Sequence, residues 1–100
     1  MQKKFFDYIE MAKQITIFSD NQKLARYLSI PANQISRWKS NQGSVAPADC
    51  VLLAELLGIE TAEIAFVLKA EKEPEFHNHW LSVASSYARP VNPPAKYRKP

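Results

Sequence analysis

Glycine and cysteine are nearly missing from this chain, with two glycines and one cysteine in 100 residues. So little glycine argues against a backbone loop that cradles phosphate, and it leaves the tight turns of β-hairpins poorly supplied. The lone Cys50 excludes an intrachain disulfide framework and a cysteine-rich zinc site, and it suits a reducing compartment. No apolar run approaches the roughly 20 residues of a membrane span. The longest candidate, Ile64–Leu68, is far too short. Asp7 and Glu10 interrupt the start of the chain, where a secretory signal needs an unbroken apolar stretch. The expected location is cytoplasmic. A chain of this length makes one domain with a modest core, which argues against a large enzyme with a deep cleft.

Acid is also unevenly absent. Between Asn21 and Ser44 stand Lys23, Arg26, Arg37 and Lys39, with no carboxylate. Residues 1–44 carry seven basic and three acidic side chains, residues 45–88 two basic and seven acidic, and residues 89–100 four basic and none acidic. A basic face set against an acidic one suits a polyanionic partner, although a lopsided solvated surface would look the same.

What is present reads as helix throughout. Over Lys3–Ile15, the residues Phe5, Phe6, Ile9, Ala12 and Lys13 share one face at helical spacing. Ser19-Asp20 is a helix start, with Gln22 completing a capping box on Ser19. Leu24, Ala25 and Leu28 give the second helix, Asn21–Leu28, its apolar face. Pro31 sits in the first turn of a third helix that runs to about Asn41 and buries Ile35 and Trp38. A fourth helix opens at Pro47, turns Val51, Leu53, Ala54, Leu56 and Leu57 inward, and stops at Gly58. Glu60–Ala70 forms a fifth, with Glu60 and Glu63 at the positive end of its dipole. Phe76, Trp80, Val83, Ala84 and Tyr87 recur at the spacing of a sixth, spanning about 75–88. The four prolines of residues 89–100 make that end a basic, extended or disordered tail. The expected fold is all-α, a compact bundle of five to six short helices over residues 1–88, followed by the tail.

The segment Asn21–Ser40, NQKLARYLSIPANQISRWKS, meets the positional demands of a helix-turn-helix. The two helices cross at its fifth position, which must be small and is Ala25. Its miniature core needs apolar residues at the fourth, eighth, tenth, fifteenth and eighteenth positions, which are Leu24, Leu28, Ile30, Ile35 and Trp38. The ninth is usually glycine, because the turn favours a positive φ, and here it is Ser29.

This segment resembles the Cro/repressor-type (XRE-like) helix-turn-helix domains. The resemblance runs over about residues 20–68, through Gly43, Pro47, the stretch Val51–Ile59 that ends its helix in Leu57-Gly58, and Glu63-Ile64. The stretch Lys69–Lys72 followed by Trp80 is also similar to small phage- or prophage-encoded members. Ser29 and Pro31 depart from the pattern. The first alters the turn, and the second removes an N–H that relatives use on a phosphate.

The resemblance implies a transcriptional regulator of repressor type, acting in the cytoplasm of a bacterial host and binding double-stranded DNA, with a palindromic operator and a homodimer as its partners. The second helix of such a motif lies in the major groove. Ala32, Asn33, Gln34, Ser36 and Arg37 are the implied base contacts, with Gln34 at the margin. Asn33 suits adenine, Arg37 suits guanine, and Ala32 offers only a contact to a thymine methyl. Asn21, Gln22, Lys23, Lys39, Asn41 and Ser44 are the implied backbone contacts, which orient without specifying. Phe76, Trp80, Val83 and Tyr87 form the face expected to dimerise or to cap the chain's own core.

Other readings stand beside this one. The same fold serves a small interaction protein, as an inhibitor or antitoxin of a host or toxin protein. His77 and His79, two apart on a helix, point in different directions and are not expected to share a metal. Cys50 reads as a small buried hydrophobe rather than a nucleophile. No cofactor, metal or catalytic residue is expected.

Overall fold

The computed structural model describes residues 3–100. Among these, six α-helices form an all-α molecule: α1 (Phe5–Ile15), α2 (Asn21–Leu28), α3 (Ala32–Lys39), α4 (Pro47–Leu57), α5 (Thr61–Lys72) and α6 (His77–Ser86). Short 3-10 turns, Pro74–Phe76 and Ala95–Tyr97, precede α6 and interrupt the C-terminal segment. The described residues contain no strand, only an isolated antiparallel bridge between Thr16 and Arg98. No helix among them is long and apolar enough to cross a membrane.

One core joins all six helices, with α6 adding Ala84. Tyr8, Ile9 and Ala12 of α1 meet Leu24 and Leu28 of α2, Ile35 of α3, Leu53, Leu56 and Leu57 of α4, and Ile64 and Val67 of α5. Phe5 meets Trp38 edge to face with centroids 5.4 Å apart, so α1 braces α3 directly. Tyr8, absent from the expected face of α1, is fully buried, while Phe6 is only half-buried. Tyr8 can go inside because its hydroxyl donates to the buried Glu63, whose same oxygen accepts from Lys3 at 3.4 Å. Burial and this hydrogen bond push the Tyr8 phenol well above the ordinary tyrosine range. Glu63 stands in the first turn of α5, at the positive end of the helix dipole as expected, but it is buried there, and Glu60 is the N-cap.

Several helix ends differ from expectation. α1 begins at Phe5, with the Asp7 carboxylate accepting from the Lys4 amide at 2.8 Å and Glu71 of α5 accepting from the Phe5 amide at 2.8 Å. Asp20, not Ser19, caps α2, taking the Lys23 amide at 2.8 Å. Pro31 is the N-cap of α3 rather than a first-turn residue, and the helix ends at Lys39. Val51 is 44% exposed, because the inward face of α4 is set by Cys50, Leu53, Ala54 and Leu57 and Val51 falls outside that arc. Cys50 is buried, which raises its thiol pKa.

Two helices end by the same device. Ser29 and Gly58 are left-handed, with φ of +58° and +68°. The following residues, Ile30 and Ile59, donate back to Ala25 and Ala54 at 3.0 Å, closing a Schellman turn in each case.

The C-terminal segment is extended, as expected, but it is not a loose tail. The Asn92 amide donates to the Leu57 carbonyl at 2.9 Å, and the Asn92 backbone covers Gly58 so closely that a Cβ there would strike its carbonyl. Farther on, the Ile17 amide donates to the Tyr97 carbonyl at 3.0 Å. The Tyr97 ring lies 5.5 Å from Phe18 and 5.4 Å from Tyr27, centroid to centroid. Proline keeps the segment out of regular structure, yet its backbone groups and aromatic ring find partners on α2, α4 and the α1–α2 loop. It runs as a strap across the bundle. The radius of gyration, 13.0 Å, is that of a folded chain of this length, about 13 Å for 100 residues.

Candidate nucleic-acid interface

α2 and α3 pack across a turn of three residues, Ser29 to Pro31. Ala25, where the two helices are expected to cross, is 2% exposed, and a larger side chain there would separate them. On α3, Ile35 and Trp38 face the core, and the Trp38 indole donates to the Ser44 carbonyl at 3.3 Å. The opposite side of α3 is therefore presented outward.

That side carries Asn33, Ser36 and Arg37, all exposed. Asn33 and Arg37 are one turn apart on the same face. Ala32 is half-buried and packs on the core. Gln34 is half-buried as well, drawn toward the α3–α4 loop at Gly43. A Cβ on Gly43, where φ is +77°, would stand 2.6 Å from the Gln34 side-chain nitrogen. The Arg37 guanidinium flanks the same loop. Of the five expected base-reading residues, the fold brings three to the open surface and holds Ala32 and Gln34 closer in.

The expected backbone-contact residues divide similarly. Gln22, Lys23, Lys39, Asn41 and Ser44 are exposed. No ion pair engages Lys23, Arg37 or Lys39 among the described residues. Asn21 is half-buried, and its side-chain oxygen accepts from the Lys13 ammonium at 2.9 Å. Asp20 places a carboxylate at the N-terminus of α2, where a phosphate is expected from the sequence. That end of α2 is thus already satisfied, and the exposed cations Lys23 and Arg26 lie farther along the helix. An aspartate just before a helical run is a favoured cap, so the sequence held this signal.

The expected dimer face is partly used within the chain. Trp80 stacks on Phe66 of α5 at 5.7 Å, and Tyr87 stacks on the same ring at 5.9 Å. The Trp80 indole donates to Glu73 at 3.1 Å, and the Lys69 ammonium lies over its ring. The hydrogen bond from Lys69, then that from Trp80, lowers the pKa of the Glu73 carboxyl. Val83 is half-buried, while Phe76 is 54% and Tyr87 43% exposed. Phe76 belongs to the 3-10 turn before α6, not to the helix itself. His77 and His79 face different neighbours, the Ala70 carbonyl and the Trp80 ring. No three histidine, cysteine, aspartate or glutamate side chains converge as a metal site among the described residues.

No protein-family model, curated protein or solved structure matches this chain.

Proposed function

We propose that this protein is a sequence-specific DNA-binding regulator of transcription, of the phage-repressor kind, working in the bacterial cytoplasm. The observation that carries this reading is the two-sidedness of α3. Ile35 and Trp38 anchor the helix inward, and Asn33, Ser36 and Arg37 stand within one turn on the outward side. A short helix held from behind, with amide and guanidinium groups in front, is what reading base edges in a major groove requires. The surrounding segment, Asn21–Ser44, supplies only positive charge, which favours phosphate.

An electrophoretic shift with DNA flanking the protein's own gene tests this reading. A shift that survives excess unrelated duplex supports it. Equal competition by every sequence removes the specific-regulator reading.

A second reading has its own observation. Tyr87, stacked on Phe66 next to Trp80, is exposed at one end of α6 and Phe76 is exposed at the other, apolar surface suited to a protein partner or a second copy of the chain. In the regulator reading this surface joins two copies over a palindromic operator. In the alternative reading it takes a host or toxin protein, and α3 is scaffold. Sedimentation of the full chain separates the two. A dimer fits the first, and a monomer that fails to shift any DNA fits the second.

A further inference from the structure

The strap carries three of the chain's 13 cations, Lys96, Arg98 and Lys99, and it is pinned beside α2. The bridge between Thr16 and Arg98, with the Ile17 hydrogen bond to Tyr97, lays residues 96–99 along the loop that leads into α2. Tyr97 closes an aromatic cluster in which Phe18 and Tyr27 lie 4.8 Å apart. Immediately around this cluster, Ile17, Phe18, Lys23, Arg26 and Tyr27 line a surface hollow of about 350 Å³. Lys23, Arg26, Lys96 and Lys99 are all exposed, and none is paired with a carboxylate among the described residues.

Arg98 behaves differently. Its guanidinium donates to the Pro93 carbonyl at 2.8 Å and to the Asn92 side-chain oxygen at 2.9 Å, so it stiffens the strap itself. Two acids stand near the patch. Asp20 is taken up by the Lys23 amide, and Glu55 lies close enough to raise the Tyr27 phenol.

From this placement we infer that the strap is a fixed second contact surface for the sugar-phosphate backbone of duplex DNA. Lys96 and Lys99 act with Lys23 and Arg26, and Tyr97 is the positioning residue that holds them there. The inference rests on the DNA-binding reading of α3 and extends it. In a helix-turn-helix the first helix crosses the backbone while the second enters the groove. Cations fixed beside α2 then meet phosphates adjoining those under the motif. A flexible basic arm would also attract DNA, but it would lose the entropy of its ordering on binding. A pinned strap has lost that entropy on folding.

The test compares the full chain with Lys96→Ala/Lys99→Ala and with Tyr97→Ala. The readouts are salt of elution from heparin, as a sequence-blind polyanion, and the salt dependence of binding to one duplex. The lysine pair should elute at lower salt and flatten the log–log salt slope by about 0.9 for each phosphate no longer neutralised. Tyr97→Ala keeps both lysines yet should move the same way, because their position is lost. Wild-type elution and slope for the lysine pair would overturn the inference, even if α3 still discriminates sequence. A folded Tyr97→Ala that behaves as wild type would overturn it too, since the lysines would then act from a loose arm.

Hydrogen exchange in the unmodified chain gives an answer that needs no variant. The Ile17 and Asn92 amides should be protected, and exchange at the rate of an unstructured peptide would show that the strap is not held. Failure of the regulator reading shows itself separately, as full retention on heparin with no preference among duplexes.

Discussion

Ser29 is the residue at which this sequence departs most plainly from its own pattern. The turn between α2 and α3 needs a left-handed residue, and serine supplies it at φ +58°. A side chain in that region costs roughly 1–2 kcal/mol, and glycine avoids the cost while giving back about 0.4–1 kcal/mol to the unfolded chain. Ser29→Gly is therefore expected to raise stability by about 0.5–1 kcal/mol, measured by urea denaturation, with no change in DNA binding. A loss of stability would mean that the serine side chain contributes an interaction of its own. The ninth-position rule makes this turn legible in the sequence. Tyr8 is not legible there, since a tyrosine enters a core only when its hydroxyl finds a partner, and Glu63 lies 55 positions away. Val51 misleads for the opposite reason. Every residue of its helix segment from Cys50 to Ala54 is apolar, so hydrophobicity alone does not say which side turns inward.

At the scale of elements, the helix order and most boundaries follow from local rules: proline in the first turn of α4, glycine after its end, and apolar spacing along α1, α2 and α6. Ala25, at the fifth position of the motif where the two helices are expected to cross, is 2% exposed. Ala25→Leu should wedge them apart and cost about 1–3 kcal/mol. The same variant should bind DNA poorly at temperatures where circular dichroism still reports a folded chain, because α3 is re-aimed. Undiminished stability would show that the crossing has room to spare. Trp80 and Tyr87 mark a limit of periodicity. Their spacing identifies an apolar face on α6, but not that Phe66 of α5 stacks against both. Local spacing says which side of a helix is apolar, and not which neighbour covers it.

For the whole molecule, the strap is what the sequence discloses least. Four prolines in twelve residues argue correctly against a helix, but tertiary partners order the segment all the same. Cutting the chain after Arg89 removes the half-buried Val91 and Tyr97 and the hydrogen bonds at Leu57 and Ile17. Without them the truncated chain should be less stable by about 2–3 kcal/mol, with Tm lower by roughly 10 °C or more. Tyr27 gives a second readout. Burial first, then Tyr97 and Glu55, pushes its phenol from 10.0 up to about 12. The folded state thus favours the protonated phenol, so the associated stability is complete below pH 10 and is lost as pH rises toward 12. Tyrosinate absorbance should show Tyr27 ionising late in the full chain and nearer its ordinary value once the strap is gone. An unchanged Tm and titration would mean that the strap contributes nothing to the fold. Whether the outward side of α3 reads DNA is measured with Asn33→Ala and Arg37→Ala on matched and singly mutated operator duplexes, with circular dichroism as the folding control. Each variant should keep its fold and lose about 1–3 kcal/mol of discrimination at one base position per half-site. Lys39→Ala, in the same series, should weaken all duplexes alike. If both α3 variants bind and discriminate like the parent chain, Asn33 and Arg37 do not read bases and the outward side of α3 is not the recognition surface.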